Sequence, residues 1–265
     1  MLSLGKVTDL GIEPGLGAFR SDETMKEVYK RLLEVYSDFE FYNERIEKSI
    51  RYYMYYFPSR KVPEIVTYMS GFNYALGVTE DHVGIGLDMY LGSDCEFYDK
   101  LGIPKYKSFN MTPENMVVDC MKGWIMTEFY PKKEDEATLL SKMIYEGKIL
   151  YVLDALFPFS EDSIKIGYSQ EELDWCKYNE FNLWSHFVDK QLLYTKNGST
   201  IVQYTGEGPF TTGFDRASPA RIGIWMGWQI VRSFMQKHEN ITLEQLMNEK
   251  NAQALLVKSG YKPKK

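Results

Sequence analysis

The stretch Ala137 to Phe157 constrains this chain most, because it is apolar almost all the way round and a helix of that kind must be enclosed by protein. Helical spacing sets Leu139, Met143, Glu146, Leu150 and Leu153 on one stripe, so a carboxylate, with Gly147 beside it, stands where core is expected. Thr112 to Tyr130, just before it, reads as a second helix with Thr112 as N-cap, Pro113 in the first turn and Pro131 beyond the far end. Two consecutive long helices, one of them buried, need other elements around them.

Met1 to Arg20 is glycine-rich, lacks periodic apolar residues and reads as an extended arm. From Ser21 the pattern is helical, with a second helix over Phe39 to Phe57 that ends in the run Tyr52-Tyr53-Met54-Tyr55-Tyr56-Phe57 before Pro58. Around a helix such a run points in every direction, which favours core packing over a sugar-stacking platform. Val62 to Met69 and Val83 to Leu91 read as strands; in the second, Val83, Ile85, Leu87, Met89 and Leu91 alternate with Gly84, Gly86, Asp88 and Tyr90. The two glycines let a crossing helix or an extended substrate approach that face.

Farther on, Ser169 with Glu172 forms a capping box, Asn197-Gly198 reads as a turn, and Gly206 to Asp215 is a loop long enough to cover a groove. Ser218 and Pro219 open the last major helix, where Gly223 and Gly227, one turn apart, allow a neighbouring helix to come close. Thr242 with Gln245 starts another helix, and Gly260 closes the final one. The expected fold is α+β, mainly α-helical with a small β-sheet, in a single domain over 1–265: an arm at 1–20, N-terminal helices at 21–57, the sheet at 62–91 and a helical part at 112–265.

Composition narrows the function. A net charge of -6, with basic residues gathered only in the tail Lys258 to Lys265, argues against a nucleic-acid binder. Cys95, Cys120 and Cys176 are too few and too scattered for a zinc knuckle or a CxxC motif. No apolar run approaches the roughly 20 residues of a membrane-spanning helix.

Chemistry is equally sparse. His82, His186 and His238 stand singly, and His238-Glu239 only begins like HExxH, since Thr242 occupies the place of the second histidine. No GxSxG, SxxK or Walker loop is present. Asp119 and Lys122 fall at i and i+3 and read as a local ion pair. No metal and no cofactor is therefore expected.

The strings Tyr55-Tyr56-Phe57-Pro58, Ser70-Gly71-Phe72, Gly84-Ile85-Gly86-Leu87-Asp88-Met89-Tyr90-Leu91-Gly92, Gly102-Ile103-Pro104, Thr112-Pro113-Glu114 and Met143-Ile144-Tyr145-Glu146-Gly147 resemble the GldB gliding-motility lipoprotein family of Bacteroidetes. That family in turn looks like distant kin of gluzincin-type zinc peptidases. The resemblance implies a metallopeptidase (zincin)-like helical domain in which Val118 to Lys122 takes the place of HExxH and Glu146 that of the third ligand, both histidines being gone. Asp119, Lys122 and Glu146 would then mark a degenerate site, with Gly84, Gly86, Asp88 and Tyr90 lining a groove that accepts an extended chain by strand addition. It further implies a non-catalytic lipoprotein of the cell envelope, facing the periplasm, with a protein or peptide partner and a lipidated cysteine upstream of Met1. The rivals are a carboxylate-dependent hydrolase using Asp119, Glu146 and Asp88, acting on glycans, and a carbohydrate-binding lipoprotein using exposed Tyr and Trp.

Overall fold

A computed structural model of the chain describes residues 12–131 and 138–264; most of the expected arm and the Ala137 start of the buried helix lie outside them. The fold is mainly helical with one small sheet, as expected. The chain divides into two compact units, Met1–Arg51 with Arg60–Trp124 and Tyr52–Ser59 with Ile125–Lys265.

The first unit begins with α1 (Ile12–Ser21), α2 (Glu23–Val35) and the larger part of α3 (Phe39–Tyr56). The expected arm is thus corrected over its second half to a helix. It carries no apolar period because little of it is buried, and Pro14 is tolerated in its first turn. Asp22 caps α2, accepting from the Met25 N-H at 2.9 Å.

Then come β1 (Glu64–Tyr68), β2 (Leu76–Val78) and β3 (His82–Gly86), in the spatial order β1-β3-β2, with β1 parallel and β2 antiparallel to β3. The strand expected over Val83 to Leu91 therefore stops at Gly86. Leu87–Met89 is a short 3-10 turn in which the neighbours Leu87 and Asp88 are both buried, so the in-out alternation ends with the strand. The unit closes with α4 (Glu96–Lys100), α5 (Lys105–Ser108) and α6 (Pro113–Glu128) as far as Trp124.

The second unit is helical: α7 (Leu139–Leu156), α8 (Asp162–Ile166), α9 (Gln170–Tyr178), α10 (Glu180–Asp189), α11 (Gly198–Thr205), α12 (Ile222–Lys237), α13 (Leu243–Asn248) and α14 (Ala252–Ser259). Asn197 is an N-cap and not a turn: its side chain accepts from the Thr200 N-H at 3.0 Å and starts α11. Asparagine suits caps and turns for the same reason, a short acceptor that reaches nearby N-H groups. Thr242 makes the expected capping box with Gln245, and Gly260 ends α14 at φ 54°. The last major helix starts later than Ser218, at Ile222, after Arg221 in the left-handed region at φ 59°. The Gly206 to Asp215 loop lays Phe214 on the His186 ring, with centroids 4.7 Å apart.

At the centre of this unit α7 crosses α12 with no side chain between their backbones. A Cβ on Gly227 would overlap the Met143 carbonyl, and one on Gly147 would overlap the backbone of Gly227. Gly223 is nearly as tight, since its Cβ would lie 2.9 Å from the Tyr204 carbonyl oxygen. Gly227 thus meets Gly147 of the buried helix, which explains why a glycine interrupts so apolar a run, while Gly223 admits α11. No described helix is long and apolar enough to cross a membrane.

The glycine contact gives a direct test. Gly227→Ala should destabilise the protein by about 2–3 kcal/mol in denaturant titration, overpacking overriding the helix-propensity gain. Gly17→Ala in α1, where an added Cβ meets nothing within 4 Å, should instead be neutral or stabilise by up to about 1 kcal/mol.

Candidate functional site

Of the residues that the sequence offers as a degenerate metal site, Glu146 is buried on α7 and pairs with Lys142 one turn earlier at 3.0 Å. Lys142 also lies over the Tyr145 ring, 5.4 Å from its centroid. Asp119 accepts a hydrogen bond at 3.2 Å from the Tyr90 hydroxyl, a corrected partner in place of Lys122. Burial first, and then the Asp119 charge, push the Tyr90 phenol well above its usual range, so it stays a donor. The neighbouring Cys120 is fully buried and its thiol is pushed up to about 12 by burial, which makes it an inert core residue.

The residues expected to line a groove are closed over. The ring of Tyr68 lies on Gly84, where an added Cβ would come within 2.8 Å of it, and the Tyr74 carbonyl blocks Gly86. Tyr68 stands diagonally across the β1–β3 pair from Gly84, within reach of an aromatic side chain. The crossing partner allowed for at these glycines is a neighbouring strand's tyrosine. Because β3 is the central strand, both its backbone edges are paired and strand addition along it is excluded.

Asp88 is fully buried and holds a turn: its carboxylate accepts from the N-H groups of Ser70 at 2.9 Å and Phe72 at 2.7 Å, and from the Ser70 hydroxyl at 3.1 Å. Gly71 and Phe72 in that turn both adopt left-handed backbone, φ 65° and 60°, which the glycine takes freely but which strains Phe72 and is sustained by the carboxylate. Two tyrosine hydroxyls complete the knot. Tyr98 donates to the Asp88 carbonyl at 3.0 Å and accepts from the Leu91 N-H at 2.8 Å, while Tyr36 donates to the Tyr90 carbonyl at 2.9 Å. The Leu87 to Leu91 segment is therefore bound in on every side.

Two features escape sequence reasoning. The first is an ion network in the second unit. The Arg232 guanidinium donates to both oxygens of Asp154, each at 2.8 Å, and to Asp162 at 2.7 and 2.8 Å. Buried Lys165 donates to Asp154 at 2.9 Å, and Trp228 Nε1 does so at 3.0 Å. Arg232 also lies 3.7 Å over the Trp228 ring. Burial alone would raise the Asp162 carboxyl, but Arg232 and then Lys165 hold it below its usual value. The local signals are the i, i+4 spacing of Trp228 and Arg232 on α12 and the i, i+3 spacing of Asp162 and Lys165; the carboxylates that Arg232 takes lie far from it in sequence.

The second is a groove of about 970 Å³ beside that network, lined by Tyr52, Tyr55 and Tyr56 from the end of α3, Tyr151 and Asp154 from α7, and Glu239 and Asn240 after α12. The tyrosine run is divided by the helical period. Tyr53 and Phe57, four apart, are fully buried, whereas Tyr52, Tyr55 and Tyr56 face the groove. Core packing thus accounts for only part of the run.

A family model for the gliding motility protein GldB matches residues 8–263. No curated protein and no solved structure gives a match.

The ion network predicts a specific acid sensitivity. Because the Asp162 pKa is depressed in the folded state, its contribution is complete above the unfolded carboxylate value of about 3.9 and is lost as pH falls through the lower folded value. Arg232→Gln should lower unfolding free energy at neutral pH by roughly 3 kcal/mol. It should also flatten the fall in stability below about pH 4, read by urea titration across that range.

Proposed function

The chain belongs to the family of the gliding motility protein GldB, a lipoprotein family, and we propose that it is a non-catalytic, lipid-anchored binding protein of the cell envelope. The observation that carries this reading is the commitment of each candidate carboxylate. Glu146 holds Lys142, Asp119 takes the Tyr90 hydroxyl, and Asp88 holds the Ser70 to Phe72 turn. A general acid or base needs a carboxyl aimed at a reacting group, and these three are turned to their own fold. Among the described residues no three His, Cys, Asp or Glu side chains are grouped to hold a metal ion.

On this reading the scaffold is peptidase-like, the glutamate of the third-ligand position is kept as a structural partner of Lys142, and the work is recognition of a protein or peptide partner. That partner does not dock as a strand on β3. Its surface is presented from the membrane by an N-terminal lipid anchor.

The test is complementation in a gliding bacterium lacking its own copy. Asp119→Asn and Glu146→Gln should each restore gliding, with a stability cost of about 1 kcal/mol from a weakened hydrogen bond. Loss of gliding by either variant, when it folds normally and reaches the envelope in normal amount, would return that carboxylate to a catalytic role and overturn the reading.

A further inference from the structure

We propose that the tyrosine groove of the second unit is a binding site for a neutral oligosaccharide. Tyr52, Tyr55, Tyr56 and Tyr151 bring four rings and four hydroxyls to it, and Glu239 and Asn240 add a carboxylate and a carboxamide. None of these six side chains makes a hydrogen bond or ion pair within the described protein, in a molecule where the tyrosines Tyr36, Tyr90, Tyr98, Tyr168, Tyr194 and Tyr261 all donate to protein acceptors. The Tyr55 and Tyr56 rings stand 5.1 Å apart at 80°, a corner that offers one ring face beside another ring's edge. The volume falls within the roughly 300–1,000 Å³ of small-molecule sites.

Charge and hydrogen-bonding type select the ligand. No lysine or arginine lines the groove. Of the two acidic lining residues, Asp154 is paired with Arg232 and Lys165, which also pair with Asp162, whereas Glu239 has no ion pair among the described residues, and this disfavours an acidic ligand. A proline-rich peptide also suits aromatic grooves, yet it supplies carbonyl acceptors and few donors, so Glu239 and the Asn240 carbonyl would go unsatisfied. Sugar hydroxyls donate and accept at once, and pyranose C-H faces stack on tyrosine rings. Hydrolysis takes two carboxyl groups aimed at the scissile bond, and both Asp154 oxygens are taken up by three donor side chains of the fold, Lys165, Trp228 and Arg232. The site is therefore one for binding without cleavage, and it stands independently of the protein partner proposed above.

The experiment is calorimetric titration of the whole protein with neutral hexasaccharides of glucose, galactose, mannose and N-acetylglucosamine, a hexasaccharide of galacturonic acid, and a proline decapeptide. At least one neutral sugar should bind saturably and be recovered intact. Tyr55→Ala and Glu239→Gln should each weaken that binding at least tenfold. Both side chains are exposed, so the unfolding midpoint should not move. Tyr178→Ala, at a tyrosine 89% exposed and outside the groove, should leave affinity unchanged. Saturable binding of none of the neutral sugars, preference for the acidic sugar or the peptide, or sugar binding that survives both groove substitutions would each overturn the proposal.

Discussion

The backbone contact between α7 and α12 is the constraint on which the second unit depends. Two glycines, Gly147 and Gly227, remove the side chains that would hold α7 and α12 at the usual interaxial distance of about 8–10 Å, and Gly223 does the same for α11 against α12. With the gap closed, the two helices form a single post, and α8, α10, α11, α13 and α14 each pack on one or both of its members. Buried polar groups on the post are then satisfied by what surrounds them: Lys148 of α7 donates to the carbonyls of Met247 and Glu249 at 3.1 and 2.9 Å, finishing the C-terminus of α13. The Asp154–Arg232 pair ties α7 to α12 a second time.

The first unit is held differently. Its sheet is small, and its centre is the irregular Leu87 to Leu91 segment, fastened by hydroxyls of Tyr36 and Tyr98 and by the Asp88 carboxylate. Irregular backbone that is buried must find partners for its N-H and C=O groups outside any regular ladder. Here side chains supply them. That requirement accounts for the distinctive composition of the Gly84 to Gly92 string without assigning it a ligand.

What could be read from the sequence was whatever is settled within a turn or two of the chain. The enclosure of α7, the capping by Thr242, the closing glycine at 260 and the close approach at Gly223 and Gly227 all follow from local spacing. What could not be read was the choice among partners distant along the chain. Asp119 had a plausible lysine one turn away and takes Tyr90 instead; Arg232 finds its carboxylates some seventy residues earlier. The alternation in Val83 to Leu91 misled for a related reason. The period of two holds only as far as Ile85; beyond it Leu87, Asp88, Tyr90 and Leu91 are all buried, because a 3-10 turn pinned by Asp88 encloses residues that a strand would place on opposite faces. The tyrosine run was legible as apolar surface, but its division between core and groove depends on where Tyr53 and Phe57 find cover.

The closed gap between α7 and α12 bears on the groove as well. Its walls include Tyr151 on α7 and Met235 on α12, and the end of α3 that supplies the other rings is anchored by the fully buried Tyr53 and Phe57. Two helices in backbone contact have no looser packing to relax into, so those walls are preorganised. A ligand entering there meets a backbone already fixed by folding, so the entropy still to be surrendered lies in the ligand's own chain and in exposed side chains such as Tyr55.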